Sequence, residues 1–317
     1  MPNPTSGTTI QRPDLQPGLD EYVDDQNAFI GLQVAPLIEV AQRAADYPII
    51  PLEALLSIPE TKRALRGHYQ RSDWEFETDT YSCVENGFEE VIDEVEEALY
   101  SRFMDVEQVC TNRAMGVVLR RQEKRIADMV FNDSNFTPTS PTHEWDDATN
   151  AVPLTDIKTA HIKIKDATGM MANTLIISWS TYLDLGINTQ ILSRIKYTNP
   201  AVTRGQLSLA LLAQAFEVDK ILVGGGRYNT AKKGQTASLS NLWSNEYAML
   251  CITNDSPDIT TPCLARTFLW TGDSPSNSVV ETYHEDQSRG DVVRVRHNTD
   301  EEFIIAACGE LLDNITT

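Results

Sequence analysis

A glycine-rich run is the part of the sequence with the clearest capacity for chemistry. Gly224, Gly225 and Gly226 follow a predicted strand over Lys220–Gly224, and the run continues to Thr236. Glycines in such a place let backbone N–H groups approach a phosphate closely. The run lacks the Gly-Lys-Ser/Thr ending of a phosphate loop, and no helix is predicted to begin there. We therefore interpret it as a glycine turn that leads into an exposed loop.

The titratable residues show no catalytic or metal-binding spacing. None of the histidines belongs to a His-Glu-x-x-His pattern. His284-Glu285-Asp286 could contact a divalent cation, but a surface loop is the favoured interpretation. Neither a Gly-x-Ser-x-Gly elbow nor a Gly-x-Gly-x-x-Gly fingerprint occurs. We predict no catalytic residue, no cofactor and no metal, and hence a protein that is not an enzyme.

The cysteines are odd in number and widely spaced. They are Cys83, Cys110, Cys251, Cys263 and Cys308. This pattern, without a Cys-x-x-Cys motif, is not typical of a disulfide framework. We predict buried, reduced thiols in a cytosolic product.

A basic cluster followed by an alternating strand is the most unusual charged feature. Lys62, Arg63, Arg66 and Arg71 gather with His68 in a strongly acidic half of the chain. The next residues, 73–80, alternate strictly, so that Asp73, Glu75, Glu77 and Asp79 share one strand face while Trp74, Phe76, Thr78 and Thr80 share the other.

Four like charges on one strand face repel each other unless cations meet them. The basic cluster could supply those cations, in the same subunit or in a neighbour. Two interpretations remain open: a solvated strand face, and a protruding two-stranded loop that grips another subunit. For the second, the candidate subunit-interface residues are Lys62, Arg63, Arg66, Arg71, Asp73, Trp74, Glu75, Phe76 and Glu77.

Composition and charge exclude several classes of function. The 317 residues include 26 Lys and Arg against 46 Asp and Glu, a net charge of −20. This balance argues against a nucleic-acid-binding protein that depends on phosphate neutralisation and against a polybasic membrane binder. No apolar run reaches the roughly 18 residues of a membrane span. A hydrophobic content of 41% is enough for a core.

A long helix is the main predicted scaffold. The pattern predicts it from Asp105, as N-cap, to Phe131, with Val106, Cys110, Ala114 and Val117 forming one stripe. Residues 1–27 have few apolar side chains and predict an arm without its own core. Further helices are predicted over 154–168, 179–185, 189–196 and 204–216, the last with Thr203 as N-cap, and a buried strand over 174–178.

Several stretches, taken in order, resemble the major capsid proteins of tailed bacteriophages, which have the Hong Kong 97-like fold. The resemblance covers about residues 28–315, and its weight comes from order and coverage. The stretches that carry it are Ile30–Val40, Tyr47–Pro51, Phe76–Tyr81, Gly87–Glu89, Arg121–Ala127, Val130–Asn132, Asn173–Ser178, Arg194–Thr198, Ala215–Val223, Arg227–Ala231, Gly234–Leu239 and Leu242–Trp243.

The resemblance implies an α+β fold in four parts. They are an N-terminal arm at 1–29, an extended loop at 45–84, a peripheral domain at 85–171 and 289–317 with the long spine helix, and an axial domain at 172–288.

The resemblance also implies a function. The chain would self-assemble into the hexamers and pentamers of an icosahedral head that encloses double-stranded DNA without sequence-specific binding. Further expected partners are a portal protein, a decoration protein and a scaffolding protein, the last separate because no large scaffolding segment precedes the arm. No membrane partner is expected. The expected location is the virion, with assembly in the host cytoplasm.

Three alternatives remain. A cellular nanocompartment shell has the same fold, an enzyme would use the glycine-rich loop to hold phosphate, and an acidic adaptor module would remain a stable monomer that captures a basic partner.

Overall fold

The computed structural model describes residues 10–11, 29–52, 56–63, 65–69, 71, 76–198 and 208–316. The helices within these ranges are α1 (Gly31–Val34), α2 (Glu94–Tyr100), α3 (Val106–Val130), α4 (Pro153–Thr168), α5 (Trp179–Ile187), α6 (Thr189–Thr198) and α7 (Leu209–Phe216). None of the described helices is both long and apolar enough to cross a bilayer.

Strands fall into two main sheets and two ribbons. In chain order they are β1 (Ile10–Gln11), β2 (Leu37–Val40), β3 (Ala44–Ile49), β4 (Glu77–Ser82), β5 (Val84–Asp93), β6 (Thr174–Ser178), β7 (Lys220–Gly224), β8 (Arg227–Asn229), β9 (Leu239–Asn241), β10 (Ala248–Cys251), β11 (Ala265–Trp270), β12 (Val279–Glu285), β13 (Gly290–Phe303) and β14 (Gly309–Leu312).

The larger sheet is built on the long strand β13. Its first part lies between β12 and β5, and its last part pairs with β11, which in turn pairs in parallel with β2. β1 adds to the outer edge of β12, with Ile10 opposite Thr282. This short part of the predicted N-terminal arm therefore pairs with its own chain.

The smaller sheet runs in the order β14-β10-β6-β7, with a parallel pair between β6 and β7. Every residue of β6 is buried, as expected for a strand covered on both faces. The largest core cluster joins this sheet to α4, α6 and α7. The predicted domain limits at 172 and 289 stay a prediction, and hydrogen bonding crosses them: β11 and β12 pair with β13, and β14 pairs with β10.

The helix α3 packs against the larger sheet. It begins where the sequence predicts, because the Asp105 carboxylate accepts from the backbone N–H of Gln108 at 3.1 Å. Its buried face contains Ala114, Met115, Val118 and Leu119. The predicted stripe is wrong at Val117, which is 38% exposed, whereas Val118 is 4% exposed.

Most of the other predicted elements are confirmed. The helices α4, α5 and α6 and the strands β6 and β7 lie within two residues of their predicted bounds. The helix α7 begins later than predicted, at Leu209, where Ser208 is the N-cap. The predicted cap Thr203 and the stretch 204–207 lie outside the described residues.

Candidate subunit interface

A two-stranded ribbon carries the predicted extended loop. β3 and β4 pair antiparallel, from Ala44 opposite Ser82 to Ile49 opposite Glu77. The base of the ribbon is anchored by aromatic packing: the ring centroids of Tyr81 and Tyr47 lie 4.6 and 5.2 Å from that of Phe268 on β11. Both tyrosines are buried. The ribbon is therefore held firmly where it leaves the sheet.

Beyond the paired strands, the segment of the ribbon that connects β3 to β4 exposes large apolar side chains. Ile58 and Leu65 are 96% and 97% exposed, and Leu56, Tyr69 and Phe76 are more than half exposed. A soluble monomer rarely presents so many apolar side chains on one segment, and such segments mark surfaces that another protein covers. Ile58, Leu65 and Tyr69 are not among the predicted interface residues, although the sequence shows them interleaved with the basic cluster.

The basic cluster is exposed as well. Lys62, Arg63, Arg66 and Arg71 all lie at the surface. Arg63 donates from Nε to the carbonyl of Gly67 at 2.7 Å, and its guanidinium lies 4.7 Å from the centre of the Tyr69 ring. The cation–π contact orients the guanidinium without neutralising its charge. The cluster thus presents several cations outward from the ribbon.

The acidic strand face is described only in part. Asp73, Trp74 and Glu75 lie outside the described residues. Phe76 and Glu77 are exposed, and β4 begins at Glu77. Within the described ranges no ion pair joins the basic cluster to Glu77 or Asp79. Both interpretations, a solvated strand face and a loop that grips another subunit, therefore stay predictions.

A group of carboxylates lies at the base of the ribbon. The hydroxyl of Tyr47 is 3.5 Å from Asp79 on β4 and 3.3 Å from the carbonyl of Phe303 on β13. Burial raises the pKa of the neighbouring Glu302 carboxyl to about 7, and the charges of Asp300, Asp79 and Glu301 add to this shift. The ribbon base therefore carries an acid that titrates near neutral pH.

The glycine-rich run has a packing role. After β7 the chain forms the β8–β9 hairpin, and no helix begins in the run. A Cβ on Gly224 would overlap the buried ring of Trp243, and one on Gly226 would lie 2.6 Å from Leu242. Side-chain packing therefore accounts for a glycine at positions 224 and 226 without a bound phosphate.

The other residues considered for chemistry are His284, which lies at the surface, and the cysteines, most of which lie in the core. His284 is exposed and lies 2.8 Å from Asp291. In the described part of the chain no group of three or more potential ligands is arranged to hold a metal. All five cysteines are free, as predicted, and all but the half-buried Cys110 are buried. Burial raises the pKa of Cys83 to about 11 and that of Cys308 to about 12, which makes both thiols unreactive.

Two curated phage proteins are similar to the chain in sequence, and no protein-family model matches it. Both are named major capsid protein. The one from Burkholderia phage BcepMu is 28% identical over 207 residues, 63% of this chain and 64% of that protein. The one from Pseudomonas phage JBD67 is 22% identical over 222 residues, 68% and 69% of the two chains. The match thus spans slightly less than two thirds of the length of the first relative.

The comparison with solved structures decides the fold. A phage-related protein from Bordetella bronchiseptica matches with a TM-score of 0.71 and 20% identity, over 96% of this chain and 98% of its own. A chain of the capsid structure of cyanophage P-SCSP1u matches with a TM-score of 0.55 and 13% identity, over 88% of this chain and 86% of its own. The chain has the Hong Kong 97-like capsid fold.

This capsid fold also occurs outside named phages. A virus-like particle from Pyrococcus furiosus matches with a TM-score of 0.56 and 10% identity, over 95% of this chain and 98% of its own. The predicted α+β capsid fold is thereby confirmed. The segment boundaries and the interface residues stay predictions.

Proposed function

We propose that this chain is the major capsid protein of a tailed bacteriophage, which self-assembles into the hexamers and pentamers of an icosahedral head around double-stranded DNA. The observation that carries this proposal is the β3–β4 ribbon, which is anchored at Tyr81 and exposes apolar and cationic side chains beyond its base. Such a segment is costly in a monomer and becomes favourable when a neighbour covers it.

The role is structural, without a catalytic step or a cofactor. Four of the five thiols are buried, and side chains cover Gly224 and Gly226 of the glycine run, which supports a structural role. An acidic adaptor module is disfavoured, because its surface would not need the exposed Ile58 and Leu65.

A cellular nanocompartment shell is the second candidate, because the Pyrococcus furiosus virus-like particle has a similar fold. The phage assignment is favoured by the names of the two curated relatives, both of which are phage proteins.

The partners follow from the proposal. Each subunit binds other copies, and the head additionally engages a portal protein, a separate scaffolding protein and a decoration protein. The net charge of −20 keeps packaged DNA from adhering strongly to the wall. Assembly takes place in the host cytoplasm, and the finished protein resides in the virion.

The test is electron microscopy of the expressed protein, with light-scattering mass measured on the same sample. Closed shells, or rings of five or six subunits, support the proposal. Packaged DNA then distinguishes a phage head from a nanocompartment filled with protein. A 35.4 kDa monomer that persists when the proteins of its neighbouring genes are co-expressed contradicts the proposal.

A further inference from the structure

A groove of about 530 Å³ lies between α4, α6 and the end of α7. Its lining includes the apolar side chains Leu154, Ile162, Met171 and Phe216, of which Ile162 and Met171 are at least half exposed. An apolar lining that remains open to solvent is unusual on a surface with this much charge.

The rim of the groove is cationic. Lys158, Lys165 and Arg194 line it, and Glu217 is the one carboxylate among the described lining residues. The whole chain has a net charge of −20, so this concentration of positive charge opposes the average of the surface. Complementary charge of this kind selects an anionic partner and fixes its orientation.

The groove is preformed by contacts between its walls. The imidazole Nε2 of His161 on α4 lies 3.1 Å from the carbonyl of Phe216 at the end of α7. Lys158, His161, Ile162 and Lys165 recur at helical spacing and share one face of α4. From Leu154 to Lys165 this face is about 16 Å long. It therefore fits two or three turns of a partner helix.

An acidic amphipathic segment has the chemistry that the groove requires. Apolar side chains would cover the apolar lining, and carboxylates would meet the cationic rim, as in helix-in-groove recognition. A nucleic acid fits less well, because its binding depends on many phosphate contacts and gains little from an apolar surface.

The chain itself exposes one such segment. None of the residues of α2 is buried, and Val95, Leu99 and the following Phe103 are 59%, 61% and 85% exposed. Glu96 and Glu97 have no ion-pair partner among the described residues, whereas Glu94 pairs with Arg289 at 3.0 Å. The seven residues of α2 span about 10 Å, which is shorter than the groove.

We infer that the groove binds the acidic segment 93–104 of a second copy of this chain. The inference rests on the proposed function, since it requires self-assembly. The groove and α2 are different surfaces, so their contact is heterologous, the type of contact that forms rings when its rotation closes.

The first experiment measures binding separately from assembly. A fluorescently labelled peptide of residues 93–104 is titrated against the Glu96→Lys/Glu97→Lys subunit, whose own helix no longer fills neighbouring grooves. Adding Lys158→Glu/Lys165→Glu to this subunit should weaken binding at least about tenfold. Adding Lys232→Glu/Lys233→Glu instead makes the same charge change in the exposed β8–β9 hairpin and should leave binding unchanged.

The second experiment measures assembly by electron microscopy. Each reversal alone, at Lys158/Lys165 or at Glu96/Glu97, should reduce ring and shell formation, and the fourfold variant should restore it. A peptide that binds the groove-reversed subunit equally well would overturn the inference. The inference would also be overturned if the fourfold variant melted like the wild type but still failed to form rings and shells. It would be overturned as well if the Lys158/Lys165 reversal blocked assembly only when a helper protein is co-expressed, because the groove would then bind the helper and not a second copy. Peptide binding to the groove in a wild-type chain that never assembles would instead overturn the proposed function.

Discussion

The carboxylate of Glu123 on α3 accepts a hydrogen bond from the indole Nε1 of Trp243, at 2.6 Å, and both residues are buried. The same carboxylate accepts from the backbone N–H groups of Ile30 and Gly31, at 2.8 and 2.7 Å. One side chain on the long helix therefore ties together the start of α1 and the segment that follows β9. Burial raises the pKa of Glu123, although its three donors favour the charged form.

Replacing Glu123 with Ala should destabilise the subunit by about 2–4 kcal/mol, because three buried donors lose their acceptor. Glu123→Gln keeps an acceptor oxygen for part of the network and should cost less. Urea unfolding of the isolated subunit, followed by tryptophan fluorescence, measures both. Equal midpoints for Glu123→Ala and the wild type would show that the three-way contact contributes nothing to stability.

The phase of α3 gives a second prediction. Val118→Asp should cost about 3 kcal/mol or more, because it places a charge without a partner in the core between α3 and the larger sheet. Val117→Asp introduces the same side chain one position earlier, where 38% of the residue is exposed, and should cost about 1 kcal/mol or less. Thermal melts of the two variants compare them directly. A larger loss for Val117→Asp would mean that the buried face is assigned incorrectly.

The sequence predicts the position of this helix better than its orientation. Asp105 is a local cap, so the N-terminus can be recognised from nearby residues. The buried face includes Gln122 and Glu123, which look like surface residues by hydrophobicity. Their burial depends on partners far away in the chain, such as Trp243, which lies 120 positions from Glu123. Hydrophobic periodicity contains no information about such distant partners. For this reason the sequence pattern assigned Val117 to the buried face incorrectly.

The sequence likewise shows only part of the candidate interface. The cluster around Arg63 and Arg66 stands out because the surrounding sequence is acidic, and the alternation through Glu77 indicates a strand. The anchoring of the ribbon depends on Phe268, almost 190 residues away from Tyr81 in the chain, and no local pattern reveals it. The groove was also missed, because Lys158 and Lys165 on α4 form it only together with Arg194 on α6 and Phe216 on α7.

The glycine-rich run gives a third prediction. Gly224→Ala should destabilise the subunit by about 1–3 kcal/mol, because the added methyl group overlaps the buried Trp243. Gly186→Ala is the matched control: nothing lies within 4 Å of its Cβ position on α5, so it should be neutral or stabilising by about 0.5 kcal/mol. Calorimetry of both variants makes the comparison. A Gly224→Ala subunit as stable as the control would contradict the packing role of Gly224.

The carboxylates at the ribbon base give a pH prediction. The pKa of Glu302 is raised to about 7, above its unfolded value, so the folded state binds more protons than the unfolded state between these two values. The contribution of Glu302 is therefore fully present at acidic pH and is lost as the pH rises through 7. Relative to Glu302→Gln, the wild type should become less stable between pH 5 and pH 8.

The measurement is urea unfolding of both proteins across this pH range. Taking the difference between them removes the titration of other groups, such as His297, whose pKa burial and Arg125 lower to about 4. A constant difference from pH 5 to pH 8 would contradict the raised pKa of Glu302.

The basic cluster of the ribbon gives the prediction that bears most directly on assembly. Arg63→Glu/Arg66→Glu should block capsomer and shell formation, because the exposed cations would become anions facing an acidic neighbour. The isolated subunit should keep its melting temperature, since both side chains are exposed and neither forms an ion pair with another described residue. Lys232→Glu/Lys233→Glu serves as the control with equal charge. Particles of normal shape and yield from the ribbon variant would mean that the cluster is solvated surface, with the apolar side chains around it making the contact alone.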